Sequence, residues 1–494
     1  MQVTQFGLLI GAVGFFLLLY GRVPAMLWLI MICSMLGGSA ALFLPALGGA
    51  SVPPAQFALL LGVTRIILPG SGQLKAANAA LRANVFLGLY TAYGVATAFI
   101  ASRLFAGTMQ VVALRYAVAS SLFATTPLEF SSQNITTAMY MVCTFLMAIV
   151  TYVALRDKSQ AIRFTKVAVI IASCHALFGI AGVAFRGTPY DQFVAFMRNA
   201  HYAQNDQVFN GIVRINGIWP EASSYAGFGF DWFVFLFECW FRNVLPRLTG
   251  PAAAIMVLVL FFSTSSTAYG ALSLYAAIIL ARILLLPQSI PARKGLMIAG
   301  AVLVVVIAVS GVFFIFPKFA TQFSNLIHHL TVEKQTSESG LQRAFWAKVG
   351  LTAFVQSSGL GVGPGSFRSS TLSTAMIGSV GIIGTLMFVA HFINIFKPLR
   401  RSTYYGTYRV QFDVAARIGA AASWGCVAAL IQGFLIAPTC DLGGDFAIFG
   451  GAALALRRLT IKKSDDKLPT NGLESEESAS SAVKLAYVKQ GISE

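Results

Sequence analysis

Residues 296–316 read LMIAGAVLVVVIAVSGVFFIF, a run without one ionisable side chain. At about 1.5 Å per residue, a helix of this length spans about 31 Å, the depth of a bilayer's hydrocarbon layer. Comparable runs recur on both sides of it. Working outward, hydropathy places about thirteen spans, at 6–20, 24–47, 54–69, 84–102, 136–155, 167–185, 225–240, 251–266, 268–286, 296–316, 374–396, 416–437 and 443–457. The third and the last are short, so the expectation is twelve to thirteen crossings. No basic stretch or small-residue cleavage site marks the first run as a signal peptide, and it reads as a retained span.

Composition points the same way. Of 494 residues, 57% are hydrophobic and only 11% charged, against roughly 25% charged in globular domains. That leaves too little polar surface to cover a soluble body. The fold class expected is an all-α polytopic membrane protein, which excludes cytosolic enzymes and secreted disulfide scaffolds. The alternating pattern of a membrane β-barrel is also missing. A net charge of +17 fits Lys and Arg gathered in cytoplasmic loops better than a nucleic-acid partner. The six cysteines lie mostly within apolar runs without CxxC spacing and read as small hydrophobes.

The basic loops orient the chain. Arg156, Lys158, Arg163 and Lys166 fill one, Arg293 and Lys294 another, Lys397, Arg400, Arg401 and Arg409 a third. With these inside, the N-terminus falls outside and the C-terminus inside. Residues 1–458 then form one polytopic domain, and 459–494, rich in Lys, Glu and Ser, form a disordered cytoplasmic tail. No internal repeat or inverted pair of broken helices is visible, which argues against a transporter. Two long outer loops, about 186–223 and 317–373, hold the polar residues with chemical potential.

The first loop ends Arg214-Ile-Asn-Gly-Ile-Trp-Pro-Glu221-Ala-Ser-Ser-Tyr225. One reading is an interfacial Arg214–Glu221 salt bridge with a Trp219/Tyr225 aromatic belt. The other has Arg214 hold an anionic headgroup while Glu221 acts as base. In the second loop Leu341, Phe345, Val349 and Ala353 recur every four residues beside Arg343 and Trp346, as in an amphipathic surface helix. Gly359-Leu-Gly361-Val-Gly363-Pro-Gly365-Ser-Phe-Arg368 follows. It is either a tight connection into the next span or a nest of N–H groups, built on Gly363 and Gly365, that supports a phosphate beside Arg343 or Arg368. Phe262-Ser-Thr-Ser265-Ser-Thr-Ala-Tyr-Gly270 breaks two spans at the outer side. Within the membrane, Asp231 and Glu238 share one helical face; Glu238 lies beside Arg242 as a boundary pair. Asp441 and Asp445 stand at the outer mouth of the last span. No DxD pair, HExxH or GxSxG occurs, and His328-His329 is a poor metal spacing. No metal or cofactor is expected.

The order of these features resembles the O-antigen ligase/polymerase (WaaL/Wzy) superfamily of bacterial inner-membrane proteins. The resemblance covers about 130–395: Arg214…Pro220-Glu221…Tyr225, the break at 263–267, Arg343 with Trp346, and Gly361-Val-Gly363-Pro-Gly365-Ser-Phe-Arg368 before Gly381-Ile-Ile-Gly384. It implies a GT-C-like helical fold in the inner membrane. Its activity would be transfer of sugar chains from undecaprenyl diphosphate to an acceptor on the periplasmic side. Partners so implied are lipid-linked oligosaccharide donor and acceptor, membrane lipids, and the flippase and chain-length regulator of the pathway. Where the ligases carry a His pair before GxxG, this chain has Ser370-Thr371; where the family often has Ser-Arg, it has Ser265-Ser266. Both departures favour an exopolysaccharide or O-antigen polymerase, with a ligase and a secondary transporter or flippase as alternatives. Arg214, Arg343 and Arg368 become the diphosphate clamps. Glu221 is the first candidate base and Asp231 the second, while Tyr225, Ser265, Gly363 and Gly365 support them.

Overall fold

In a computed structural model of the protein, the residues described are 2–45, 49–114, 123–200, 208–209, 212–285, 292–315, 321, 337–397 and 413–465. They are mostly helical. The helices are α1 (Gln5–Tyr20), α2 (Val23–Ser34), α3 (Pro54–Ile67), α4 (Leu74–Ala83), α5 (Val85–Leu104), α6 (Ser132–Ala154), α7 (Lys158–Ala184), α8 (Tyr190–Met197), α9 (Ala222–Phe241), α10 (Pro246–Phe262), α11 (Ser266–Leu285), α12 (Ala292–Ile315), α13 (Glu338–Gln356), α14 (Leu372–Phe396), α15 (Val414–Ile436) and α16 (Gly443–Asp465). Six of them, α5, α6, α7, α11, α14 and α15, are long and apolar enough to cross a membrane. Large apolar side chains such as Phe16, Leu177, Leu284 and Phe314 face outward. Lipid would receive such a surface and water would not.

Side-chain caps set several starts. Ser131 and Asn134 form a capping box on α6, Asp157 accepts from Gln160 N at the head of α7, and Thr371 accepts from Thr374 N at the head of α14. Every expected span meets a helix, but not always one of its length. The span expected at 24–47 is a helix only to Ser34. The chain then turns, and Leu42–Leu44 pairs antiparallel with Gln2–Val3 and Ala50–Val52 in a small sheet. Gly37 and Gly38 cause the turn: a Cβ on Gly37 would lie 2.3 Å from the Trp219 ring, and one on Gly38 2.3 Å from the Ile218 carbonyl oxygen. Glycine is needed here because the 214–221 segment presses directly on this backbone.

α9 is the axis of the bundle. It packs against α7, α10, α11 and α15 and is buried over almost its whole length. Its aromatic rings meet those of α16, with Trp232 and Phe235 lying 5.0 and 5.3 Å from Phe449. Two expectations need correction. The first residues of the tail expected at 459–494 are helical, since α16 continues to Asp465, and 466–494 lie outside the described residues. A third segment joins the two expected loops at the end where α9 begins: the 105–131 connection. Its strands Gln110–Val111 and Thr126–Pro127 pair as a hairpin, and Met109, Val111, Val112 and Leu128 share a small separate core with Trp346, Val349 and Phe367.

α14 is a broken helix. Gly381 has φ +60° and ψ −160°, which interrupts the hydrogen-bond ladder. The glycine-rich turn repairs it: Val362 N donates to Gly378 O, Gly363 N to Ser379 O, and Ile382 N to Gly359 O. The broken helix that the sequence did not reveal therefore has its freed backbone groups satisfied by protein.

Candidate functional site

The 214–221 segment is held from beneath and from the side. Arg198, which the sequence did not single out, donates through Nε to Gly217 O (3.0 Å) and through a terminal nitrogen to Asn216 Oδ1 (2.8 Å). Asn199 Oδ1 accepts from Ala40 N (2.7 Å), tying the preceding stretch to the turn after α2. Tyr225 does not stand in an aromatic belt. It is fully buried, stacked on His175 at 3.9 Å, with its hydroxyl donating to His175 O at 3.0 Å. Gly179 and Gly217 (φ +48°) make room for its ring. Tyr225 supports the segment by packing.

Arg214 emerges from this support partly buried, with Nε lacking any hydrogen-bond partner among the described residues. No salt bridge to Glu221 closes among those residues. Glu221 and Tyr269 nevertheless act on Arg214 electrostatically. Burial holds its guanidinium below the ordinary arginine value, and those two groups work against that trend. Glu221 caps the start of α9, and its Oε1 accepts from Ser223 (2.6 Å) and Ser224 (3.2 Å) hydroxyls. Those bonds fix the carboxylate beside the helix N-terminus, where negative charge is favoured. Tyr269 is the second residue the sequence missed. Its hydroxyl donates to Phe261 O at 2.9 Å, across the break between α10 and α11, where Thr264 has φ +50°. Ser265 is buried there, and its hydroxyl has no partner among the described residues. Arg214, Glu221 and Tyr269 thus form one cluster at the end where α9 begins, with the break that carries Ser265 on its border.

Arg343, Arg368 and Trp346 form a second cluster. α13 buries Gln342, Trp346, Val349, Gly350 and Ala353. The expected stripe is corrected at its start, since Leu341 points outward. The Arg368 guanidinium lies 4.4 Å over the Trp346 ring, and its backbone N donates to Val112 O of the hairpin connection. Ser370 Oγ donates to Arg343 O at 2.7 Å, so the position where the ligase pattern places His is anchored beside Arg343. The Arg343 guanidinium has no ion pair among the described residues.

Gly363 and Gly365 do not form an open nest. Both have left-handed φ, and a Cβ on them would come within 2.5 Å of Thr97 O and 2.4 Å of Gln133 O. The turn is wedged against α5, α6 and α14, and Asn134 Nδ2 donates to Pro364 O and Ser366 Oγ, both at 2.9 Å. The Gly361, Val362, Gly363 and Ser366 amides are used within the protein, so the glycines position Arg368 rather than a phosphate.

The last turns of α15 link the clusters. Gln432 packs on Gly227 of α9, Leu435 on Gly270 of α11, and Gly433 on Leu372 of α14, while Pro438 O accepts from Ser369 N. Beyond Pro438, Asp441 Oδ1 accepts from Thr144 at 2.8 Å. Burial pushes its carboxyl up to about 6, against the opposing bonds from Thr144 and the Gly443 and Leu442 amides. Asp231 is not part of either cluster. It lies ten residues past Glu221 on α9, about 15 Å along the axis, and is 3% exposed in the core. As a base beside Arg214 it is misplaced, and that expectation is corrected. Among the described residues no group of three His, Cys, Asp or Glu side chains is arranged to hold a metal, and His328-His329 lie outside those residues. Comparison with protein-family profiles, curated proteins and solved structures gives no match to this chain.

Proposed function

We propose that the chain is a polysaccharide polymerase. It joins polyprenyl-diphosphate-linked repeat units at the outer face of a bacterial inner membrane, by inverting glycosyl transfer that needs no metal. The observation that carries this reading is the pair of partly buried arginines, Arg214 and Arg343, that lack ion pairs among the described residues and lie at the same end of the bundle. A guanidinium is permanently charged and planar, and grips phosphate oxygens bidentately. Leaving one half-buried without a carboxylate partner suits a site whose anion arrives with the substrate.

In this reading Arg214 and Arg343 hold the donor diphosphate, and Arg368, braced on Trp346, adds a third cation. The acceptor hydroxyl oxygen attacks the anomeric carbon as the bond to the diphosphate oxygen breaks. The hydroxyl proton passes to Glu221, and negative charge stays on the leaving diphosphate, which the arginines stabilise. Ser370 beside Arg343 marks where the acceptor side meets the donor side. A histidine there is what the ligases of the resembled family would have.

The test is the purified full-length chain in proteoliposomes, supplied with lipid-linked repeat units and excess chelator. A ladder of longer lipid-linked chains is the expected product. Transfer to lipid A–core without a ladder would move the protein to the ligases. Loss of the ladder in chelator, with recovery on adding Mg²⁺, would overturn the metal-free mechanism.

A further inference from the structure

The bundle core holds ionisable side chains that the clusters around Arg214 and Arg343 do not use. Asp231 of α9 is 3% exposed, and its Oδ1 has no hydrogen-bond partner among the described residues. Its charged neighbour is Asp445 of α16, whose Oδ1 likewise lacks a partner. The Trp232 indole N–H points at the Asp445 carboxyl without closing a full hydrogen bond. Trp232 is wholly buried. No ion pair reaches either carboxyl among the described residues.

Among the described residues the surroundings offer no counter-charge. From α15 comes Cys426, whose thiol sits 3.7 Å from Phe446 O and senses Asp231. From α7 comes His175, held by the Tyr225 carbonyl at 3.2 Å. α11 brings Tyr275, which donates its hydroxyl to Glu238, and α10 brings Arg247, exposed at the far end. On α14, His391 is fully buried with both ring nitrogens unpartnered among the described residues, near Phe446 and Gly450 of α16. Two carboxylates in apolar surroundings without a cation cannot both stay ionised. A metal cation would demand six or so oxygen ligands, and these walls are aromatic rings and a thiol. A proton needs only the two carboxyl groups.

We propose that Asp231 and Asp445 form an internal proton-binding site, in which one proton is shared by the two carboxyl groups. A hydronium ion at the mouth gives up that proton and becomes water, an O–H bond forms on one carboxyl, and no electrons are transferred. Asp445 is partly exposed and stands four residues after Asp441, which is anchored to Thr144. The exchange route therefore runs from the mouth past Asp441. The pair titrates as a unit, with apparent midpoints that belong to neither residue alone.

Infrared difference spectroscopy of the full-length chain in lipid nanodiscs, scanned from acid to alkaline pH, tests this without reference to catalysis. A protonated-carboxyl band at pH 7 is expected in the wild type. It should vanish in the Asp231→Asn/Asp445→Asn double variant, which preserves side-chain volume. Each single variant should titrate in one step, with a midpoint displaced by about one pH unit or more, and these carry the test should the double variant not fold. Asp441→Asn should keep the pH 7 band yet slow its hydrogen–deuterium exchange by about tenfold. No wild-type band, a band surviving in the double variant, or unshifted single-variant midpoints would overturn the site. Loss of the band on adding sodium would replace the proton with a metal ion, and unslowed exchange in Asp441→Asn would overturn the route.

Discussion

The two ends of the bundle both gather arginines, and they treat them in opposite ways. At the end where α9 finishes, Glu238 is fully buried and accepts from Arg242, Arg282 and the Tyr275 hydroxyl. Arg282 also lies 4.3 Å over the Trp424 ring. Lys294 and Arg417 donate to the carbonyls that end α9, at Phe241 (3.2 Å) and Arg242 (2.9 Å), as cations at a helix C-terminus should. Arg242, Arg282, Lys294 and Arg417 each have an answer within the protein. At the end where α9 begins, Arg214 and Arg343 have no ion pair among the described residues, although each is partly buried. Charge that the fold satisfies holds helices together. Charge that the fold leaves open is available to a ligand.

The largest effect expected from this contrast is on stability. Glu238→Gln leaves Arg242 and Arg282 buried without a carboxylate, and removing one member of such a group costs about 3–5 kcal/mol. Thermal unfolding in detergent should show the loss, together with a sharp fall in folded yield. Wild-type unfolding in this variant would mean that the arginines find other partners and that the two ends are not different in kind.

Next in size is an effect on activity alone. Arg214→Lys and Arg343→Lys keep the charge but lose the planar fork, and each should lower polymerisation about 100-fold or more, about 2.7 kcal/mol of transition-state stabilisation. Their unfolding should match the wild type, because neither side chain holds the fold together. Near-normal chain-length profiles at matched expression would sink the clamp assignment. Unfolding losses equal to that of Glu238→Gln would erase the contrast between the ends.

A smaller effect separates the glycine turn from the arginines that it positions. Gly363→Ala places a Cβ against Thr97 O at φ +95°, at a cost of about 1–2 kcal/mol for the backbone conformation alone. Its activity should fall in step with its stability and recover on cooling, unlike that of Arg343→Lys. A Gly363→Ala protein with wild-type stability and no activity would restore the turn as a phosphate nest.

Hydropathy found the helices because apolar length is a local property. Each expected span meets one, and the four-residue spacing from Leu341 to Ala353 anticipated α13, whereas α4 and α8 escaped because their polar faces dilute the signal. The 105–131 connection escaped too. It carries none of the charged patterns that drew attention elsewhere, and only folding brings Val112 O to Arg368 N. The identity of the arginines was legible, but their state was not. Whether a guanidinium is answered depends on contacts such as Arg282 with Glu238, forty-four residues apart. Tyr225 misled for the same reason. A tyrosine near a span end suggests a belt, and nothing local reveals that Gly179 and Gly217 open a slot for its ring. Asp231 looked like a reserve base by proximity in sequence, and the helical rise carried it into the core.

The smallest effect lies between the two ends, at Asp441. Burial raises its carboxyl from 3.8 to about 6 in the folded chain. Between about pH 4 and pH 6 the folded state therefore binds more protons than the unfolded state, so stability falls as pH rises through that window and levels off above it. The Thr144 hydroxyl, 2.8 Å away, limits the fall because it favours the ionised carboxylate. Thr144→Val removes that donor and leaves the shape nearly unchanged. The variant should lose about 1 kcal/mol at pH 8, where the carboxylate needs the bond. At pH 4.5, where the carboxyl is largely protonated, the loss should be smaller. Thermal unfolding at the two pH values decides it. An equal loss at both, or a larger one in acid, would show that Thr144 matters only through packing and that Asp441 carries its charge without help from α6.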